Sequence, residues 1–241
     1  MKKNICKNCN HQMHENFCGF CGQSASVDTI TFKETFNDFL ESVFSVNAPL
    51  VLTFRLLILN PGKLFREYLS GKRKTYYKPV SFFILSTFLY LVLRSVINYN
   101  PASLSGVNVD GMLLVEAGKY MVKNINNILF FLVFALGIFL KLFFFKRYSF
   151  VEYLAISFYL AGIYTLMGAV FMIYLKFVNP NPTYVTFILF FFYIVYSLIS
   201  FFKDKKIKVA LKAIFVFLFS FIVYIVLGFF LSLLIVWLNQ H

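Results

Sequence analysis

Apolar positions recur at helical spacing along most of the chain. In residues 31–46, Phe32, Phe36, Phe39, Leu40, Val43 and Phe44 fall at i, i+4, i+7, i+8, i+11 and i+12, which is one face of a helix. Thr31 with Glu34 three residues on forms a capping box at its start, and Lys33, Glu34, Asp38 and Glu41 take the polar side. A soluble core helix has this pattern, and so does a helix lying in a membrane interface. Residues 49–59 are apolar except for Arg55. At 1.5 Å per residue they reach about 16 Å, half of a ~30 Å hydrocarbon core. This segment is therefore expected to lie in an interface or dip into it without crossing. Asn60 then caps, and Pro61 opens, a short helix over 61–69 that Gly71 ends.

Five longer apolar segments follow, at 79–97, 125–145, 150–175, 183–202 and 209–237. Each reaches the ~20-residue crossing length or comes within about a residue of it. The last exceeds it and should tilt or protrude. The connection 98–124 contains a stretch, 110–124, suited to a short helix on the membrane surface, and NPNP at 179–182 is a tight turn of helix breakers. Composition agrees. The 241 residues are 60% hydrophobic and 14% charged, where a soluble domain carries about a quarter charged and under about half apolar. An ordinary water-soluble enzyme, a disordered chain and a secreted disulfide scaffold are excluded, and an integral membrane protein is the expectation. The amino end lacks the apolar core of a cleavable signal. Phe-rich runs such as Leu142–Phe145 and Phe190–Phe192 read as lipid-facing bulk.

The net charge of +13 reads as orientation, because the cations flank the spans. With the amino end in the cytoplasm, the first 78 residues carry 11 Lys and Arg, the loop after span two adds Lys141, Lys146 and Arg147, and the loop after span four adds Lys203, Lys205, Lys206, Lys208 and Lys212. That is 19 inside against Lys119, Lys123 and Lys176 outside, with Arg94 inside span one. Five spans then leave the carboxyl end outside. Lys72, Arg73, Lys74 and Lys78 around Tyr76 and Tyr77 form a belt at the first span, cations for anionic headgroups and amphipathic rings for the boundary.

All four cysteines fall in one pattern, Cys6-x2-Cys9-x8-Cys18-x2-Cys21. Two such knuckles place four thiolates at the corners of a tetrahedron, as a closed structural Zn²⁺ site requires. A unit of about 20 residues cannot fold on its apolar content, so the metal supplies the free energy. A reducing cytoplasm keeps the thiols available. Asn10, Gly22 and Gly19 suit the left-handed backbone of such knuckles. Rubredoxin-like iron and four unliganded or disulfide-bonded cysteines are the other readings. His11 and His14 read as solvated loop residues. Lys2, Lys3 and Lys7 against Glu15 are too few for a nucleic-acid face, so no nucleic acid is expected, and a knob that docks a cytoplasmic protein partner fits better.

Catalytic signatures are absent: no histidine lies in a span, and G-x-S-x-G, HExxH and P-loop patterns are missing. Glu152, near Lys146 and Arg147, reads as half of a salt bridge or as a functional carboxylate. Arg94 reads as an outer-leaflet anchor or as a bundle-facing site for an anion. Ser157, Ala161, Thr165 and Ala169 form a small-residue ridge at i+4 spacing, which lets helices approach closely and places span three at the bundle centre.

The order of ribbon, amphipathic helix and N-P-G-x3-R-E-Y-L-x-G-K-R-x3-Y-x-P resembles the DUF3667 family of bacterial membrane proteins. Here those residues are Asn60, Pro61, Gly62, Arg66, Glu67, Tyr68, Leu69, Gly71, Lys72, Arg73, Tyr77 and Pro79. Phe150-Val151-Glu152-Tyr153-Leu154 is similar to that family's F-x-E-x-L element. The family often has a histidine where Tyr153 stands, so no role of that histidine carries over. The layout is more loosely similar to Yip1-type membrane proteins, which act in trafficking rather than catalysis. The resemblance implies a membrane protein and no particular activity.

The resulting expectation is an all-α polytopic membrane protein with three parts: a cytoplasmic zinc ribbon at 1–23, interfacial helices with a basic juxtamembrane segment at 29–78, and a five-span domain at 79–241. Its place is the bacterial inner membrane. Its role is that of a non-enzymatic adaptor or scaffold. The alternative is a small-solute transporter or channel subunit using Arg94, Glu152 and the ridge.

Overall fold

A computed structural model describes residues 4–13, 16–25, 48–101 and 113–240. The amphipathic stretch 31–46 and residues 102–112 of the 98–124 connection lie outside them. Among the described residues there are two short strands and eight helices. The strands, β1 (Asn4–Ile5) and β2 (Gln12–Met13), pair antiparallel with Asn4 opposite Met13. The helices are α1 (Ala48–Leu59), α2 (Pro61–Leu69), α3 (Pro79–Val96), α4 (Leu113–Lys123), α5 (Ile125–Phe143), α6 (Phe150–Phe177), α7 (Val185–Phe201) and α8 (Lys206–Gln240).

Three of these, α3, α6 and α8, are long and apolar enough to cross a membrane. A fourth span is available if α4 and α5 count as one bent unit, their axes differing by 82°. At 17 residues, α7 is shorter, and at 1.5 Å per residue it reaches about 25 Å. The packing alternates in direction. Phe82 and Tyr90 of α3 meet Gly162 and Gly168 of α6, so these two run parallel. Phe130 and Gly137 of α5 lie against Phe158 and Leu154 of α6, while Ile128 meets Gly228 and Phe143 stacks on Phe215 across α5 and α8. Both of those pairs run antiparallel. Tyr164 packs on Phe190, and Tyr148 on Phe201, in an antiparallel α6–α7 pair. Lys141, Lys146, Arg147 and Lys203 thus gather at one end of the bundle, and Arg94 and Lys123 at the other.

At the centre of the bundle lies α6. Its apolar stretch is 61% buried, against 33% for α3 and α8. Ser157, Ala161, Thr165 and Ala169 are all buried. The two hydroxyls donate back to the Tyr153 and Ala161 carbonyls, which satisfies them inside their own helix. A side chain at Gly162 would run into the Phe82 ring. The aromatic runs split by helical geometry instead of facing lipid together: Phe144 and Phe190 are buried, while Leu142, Phe145 and Phe192 are exposed.

Candidate functional site

The cysteine unit is built from two matching halves. The Cys6 N–H donates to the His11 carbonyl, and the Cys6 carbonyl accepts from Asn10 N–H, both at 2.9 Å. The Cys18 N–H donates to the Gln23 carbonyl, and the Cys18 carbonyl accepts from Gly22 N–H, both at 2.7 Å. Each turn closes through a left-handed residue directly after its second cysteine, Asn10 at φ 60° and Gly22 at φ 68°. Gly19, also expected in that conformation, does not adopt it, because Gly22 alone makes the reversal of its knuckle.

The four sulfurs lie within 4.8 Å of one another, with Cys6 to Cys21 and Cys9 to Cys18 both at 3.6 Å. A tetrahedron with metal–sulfur bonds of about 2.3 Å has edges of about 3.8 Å, whereas a disulfide brings sulfurs to about 2.05 Å. The cysteines are unpaired thiols and fit a metal ion held by four sulfurs. Burial opposes the Cys21 thiolate. The main chain of Gln23, the Asn8 side chain and the Cys9 and Cys6 thiols outweigh it and draw its pKa down to about 7. For Cys9, a main-chain bond from His11 favours the charge, but desolvation and the other three thiols push it up to about 12. His11 stacks on Phe20 at 5.6 Å.

The unit sits on the segment that leads into α3. Asn8 accepts a hydrogen bond from the Thr75 hydroxyl, and Gln23 Oε1 accepts from the Lys74 N–H at 3.2 Å. In turn, that segment is tied into the bundle. The Tyr77 N–H donates to Thr53 Oγ1 at 2.8 Å, and its carbonyl accepts from the Tyr159 hydroxyl at 2.5 Å. Tyr76 and Tyr77 are buried, so their rings belong to the protein core and not to a headgroup layer. Lys74 is exposed and Lys72, Arg73 and Lys78 are partly so.

The residues of the N-P-G…P pattern form one interlock. Asn60 caps α2 by accepting from Lys63 N–H at 3.1 Å, and it also accepts from the Ser200 hydroxyl at 3.0 Å. Pro61 is the first helical residue. Gly62 N–H donates to Ser200 Oγ at 3.2 Å, and a Cβ there would overlap the Ser200 backbone. Arg66 Nη1 donates to the Ser200 and Phe201 carbonyls. Tyr68 packs edge-on to Tyr159 at 5.8 Å. Glu67 accepts from the Tyr76 hydroxyl and pairs with Lys72 at 3.4 Å. Gly71 turns the chain at φ 113°, and Pro79 opens α3.

Residues 49–91 match the family model of DUF3667, described as a protein of unknown function. The resemblance carried by Asn60–Pro79 is thereby borne out. The DUF3667 segment spans α1, α2, the basic connection and most of α3, while the cysteine unit lies outside it. Neither the curated proteins nor the solved structures gave a match.

Among the described residues, several other charged side chains bond the main chain. Glu152 accepts from Ser149 N–H at 2.7 Å, and Ser149 Oγ accepts from Glu152 N–H at 3.2 Å, which completes a capping box. The pattern Ser149-x-x-Glu152 carried that signal. Arg147 pairs with Asp204 at 2.6 Å. Tyr153 donates to the Phe144 carbonyl at 2.8 Å. Lys141 donates to the Phe145 and Tyr148 carbonyls, and Lys212 to that of Phe143. Arg94 donates to the Lys123 carbonyl at 2.8 Å and the Tyr99 carbonyl at 3.2 Å, beside a depression of about 410 Å³ also lined by Leu91, Asn98 and Asn100. It joins the end of α3 to the end of α4.

Proposed function

We propose that this protein is a non-enzymatic membrane adaptor. A zinc ribbon held by Cys6, Cys9, Cys18 and Cys21 is pinned against the membrane by the DUF3667 segment, and it presents a docking surface to a cytoplasmic protein. The observation that carries this reading is the pairing of Asn8 with Thr75 and Gln23 with Lys74, which fixes the cysteine unit to the first span. The same unit leaves Ile5, Phe17 and Phe20 exposed, and large apolar side chains outside a core suit a protein contact. Five crossings, with the amino end in the cytoplasm of a bacterial cell, agree with the alternating helix directions and with the 19-to-3 cation count. Lys74 and its neighbours then meet anionic headgroups. The transporter alternative has less support, since Arg94 and Glu152 bond main-chain atoms and the small-residue ridge is packed.

The test is co-purification. Cys6→Ser/Cys9→Ser protein should remain in the membrane fraction and lose its partner, and Phe20→Asp should lose the partner while keeping its metal. If both variants retain every partner, the adaptor reading is wrong.

A further inference from the structure

Two bonds from the two knuckles reach the basic connection, one from beside each pair of cysteines. Asn8 lies between Cys6 and Cys9. It accepts from the Thr75 hydroxyl. Gln23 follows the second knuckle. Its carbonyl is fixed by Cys18 N–H at 2.7 Å, and its buried side chain accepts from Lys74 N–H at 3.2 Å. Groups that orient metal ligands are here the same groups that grip the membrane-proximal chain. Among the described residues the apolar core of the cysteine unit is small: Cys6, Met13 and Cys18, with Cys9, Cys21 and Ala25 against it.

We infer that the cysteine unit is a metal-dependent clasp on Lys74 and Thr75: a soft divalent cation such as Zn²⁺ closes it, and loss of the cation releases these two residues. Asn8 and Gln23 stand at the spacing of Thr75 and Lys74 only while both knuckles share one centre. Without the cation a unit this small does not hold its fold, and water takes over both bonds. The release stops at Lys72 and Tyr76, which Glu67 holds, and at Tyr77, whose bonds to Thr53 and Tyr159 likewise do not involve the ribbon. Metal status thereby decides whether Lys74 and Thr75 are held by the ribbon or move at the membrane surface, where anionic headgroups attract the Lys74 ammonium.

This inference rests on the metal-site reading, and its test separates the two. Full-length protein in nanodiscs of mixed anionic and zwitterionic lipid is loaded with Zn²⁺ or stripped with a chelator. Metal content and amide exchange over residues 72–76 are measured on the same samples. Stripping should speed exchange at Lys74 about tenfold, as expected for loss of the hydrogen bond its amide donates to Gln23. Thr75→Val/Gln23→Ala should keep its zinc and exchange at the stripped rate. Bound zinc with exchange indifferent to its removal overturns the clasp. Exchange of the double variant at the wild-type rate overturns the route through Asn8 and Gln23. A chain that takes up no zinc overturns the metal reading and the clasp with it.

Discussion

Arg66 closes the end of a helix 134 residues away, donating through Nη1 to the Ser200 carbonyl at 2.5 Å and also to that of Phe201 at 2.9 Å. The last carbonyls of a helix have no partner within it and carry the negative end of its dipole. A guanidinium placed there answers both needs. Arg66→Ala is expected to destabilise the protein by roughly 1–3 kcal/mol, and Arg66→Lys to recover part of the loss. Thermal melting in detergent reads the effect, and an unchanged midpoint for Arg66→Ala contradicts the capping role.

Gly62 and Gly118 should respond oppositely to the same substitution. At Gly62 a Cβ meets the Ser200 backbone, whereas at Gly118, within α4, nothing lies within 4 Å. Gly62→Ala is expected to cost about 1–3 kcal/mol through overpacking against a backbone that cannot yield. Gly118→Ala should be neutral or stabilising by up to about 1 kcal/mol through helix propensity. Melting of the two variants side by side decides it, and equal shifts would contradict the close approach of α2 to α7.

Acid should weaken the DUF3667 segment through Glu67. Partial burial opposes its charge, but the Tyr76 hydroxyl and the Lys72 ammonium outweigh that and hold its carboxyl below the ordinary value. A folded-state pKa below the unfolded one contributes stability that is present above the unfolded value and lost as pH falls through the folded value. Tyr76→Phe removes the hydrogen bond, so its stability should fall less on acidification below about pH 4.5. Chemical denaturation midpoints against pH measure this, and superimposable acid limbs for the two proteins would contradict it.

Four thiols at tetrahedral edge distances predict one Zn²⁺ per chain in protein extracted from membranes. Cys18→Ser leaves three thiolates and should lower affinity at least about 100-fold, since a structural site depends on its full ligand set. Metal analysis after dialysis against a competing chelator reads it. Equal retention by the variant would contradict a four-sulfur centre.

Local features were legible in the sequence because they depend on neighbours in the chain. The cap at Asn60, the proline start at Pro61, the stop at Gly71 and the left-handed Asn10 and Gly22 all rest on residue types with strong backbone preferences. The four-cysteine spacing was legible for the same reason. Long-range polar contacts were not. Nothing in the neighbourhood of Arg66 names Ser200 as its partner, and no periodicity connects Asn8 with Thr75. Glu152 shows the converse error: attention to its charge near Lys146 and Arg147 hid the Ser149 three residues before it. Composition marks Tyr76 and Tyr77 as interface rings, yet the turn that Gly71 begins carries Tyr76 onto Glu67 of α2 and Tyr77 inward to α1 and α6. Crossing lengths were legible for α3, α6 and α8, whereas the 82° bend between α4 and α5 leaves no mark in hydropathy.

The orientation of the cysteine unit tests the account most directly. An epitope placed before Lys2 is exposed to protease in intact spheroplasts and in inverted membrane vesicles from the same cells. Protection in spheroplasts with cleavage in vesicles is the expected result, and cleavage in intact spheroplasts would contradict a ribbon facing the cell interior.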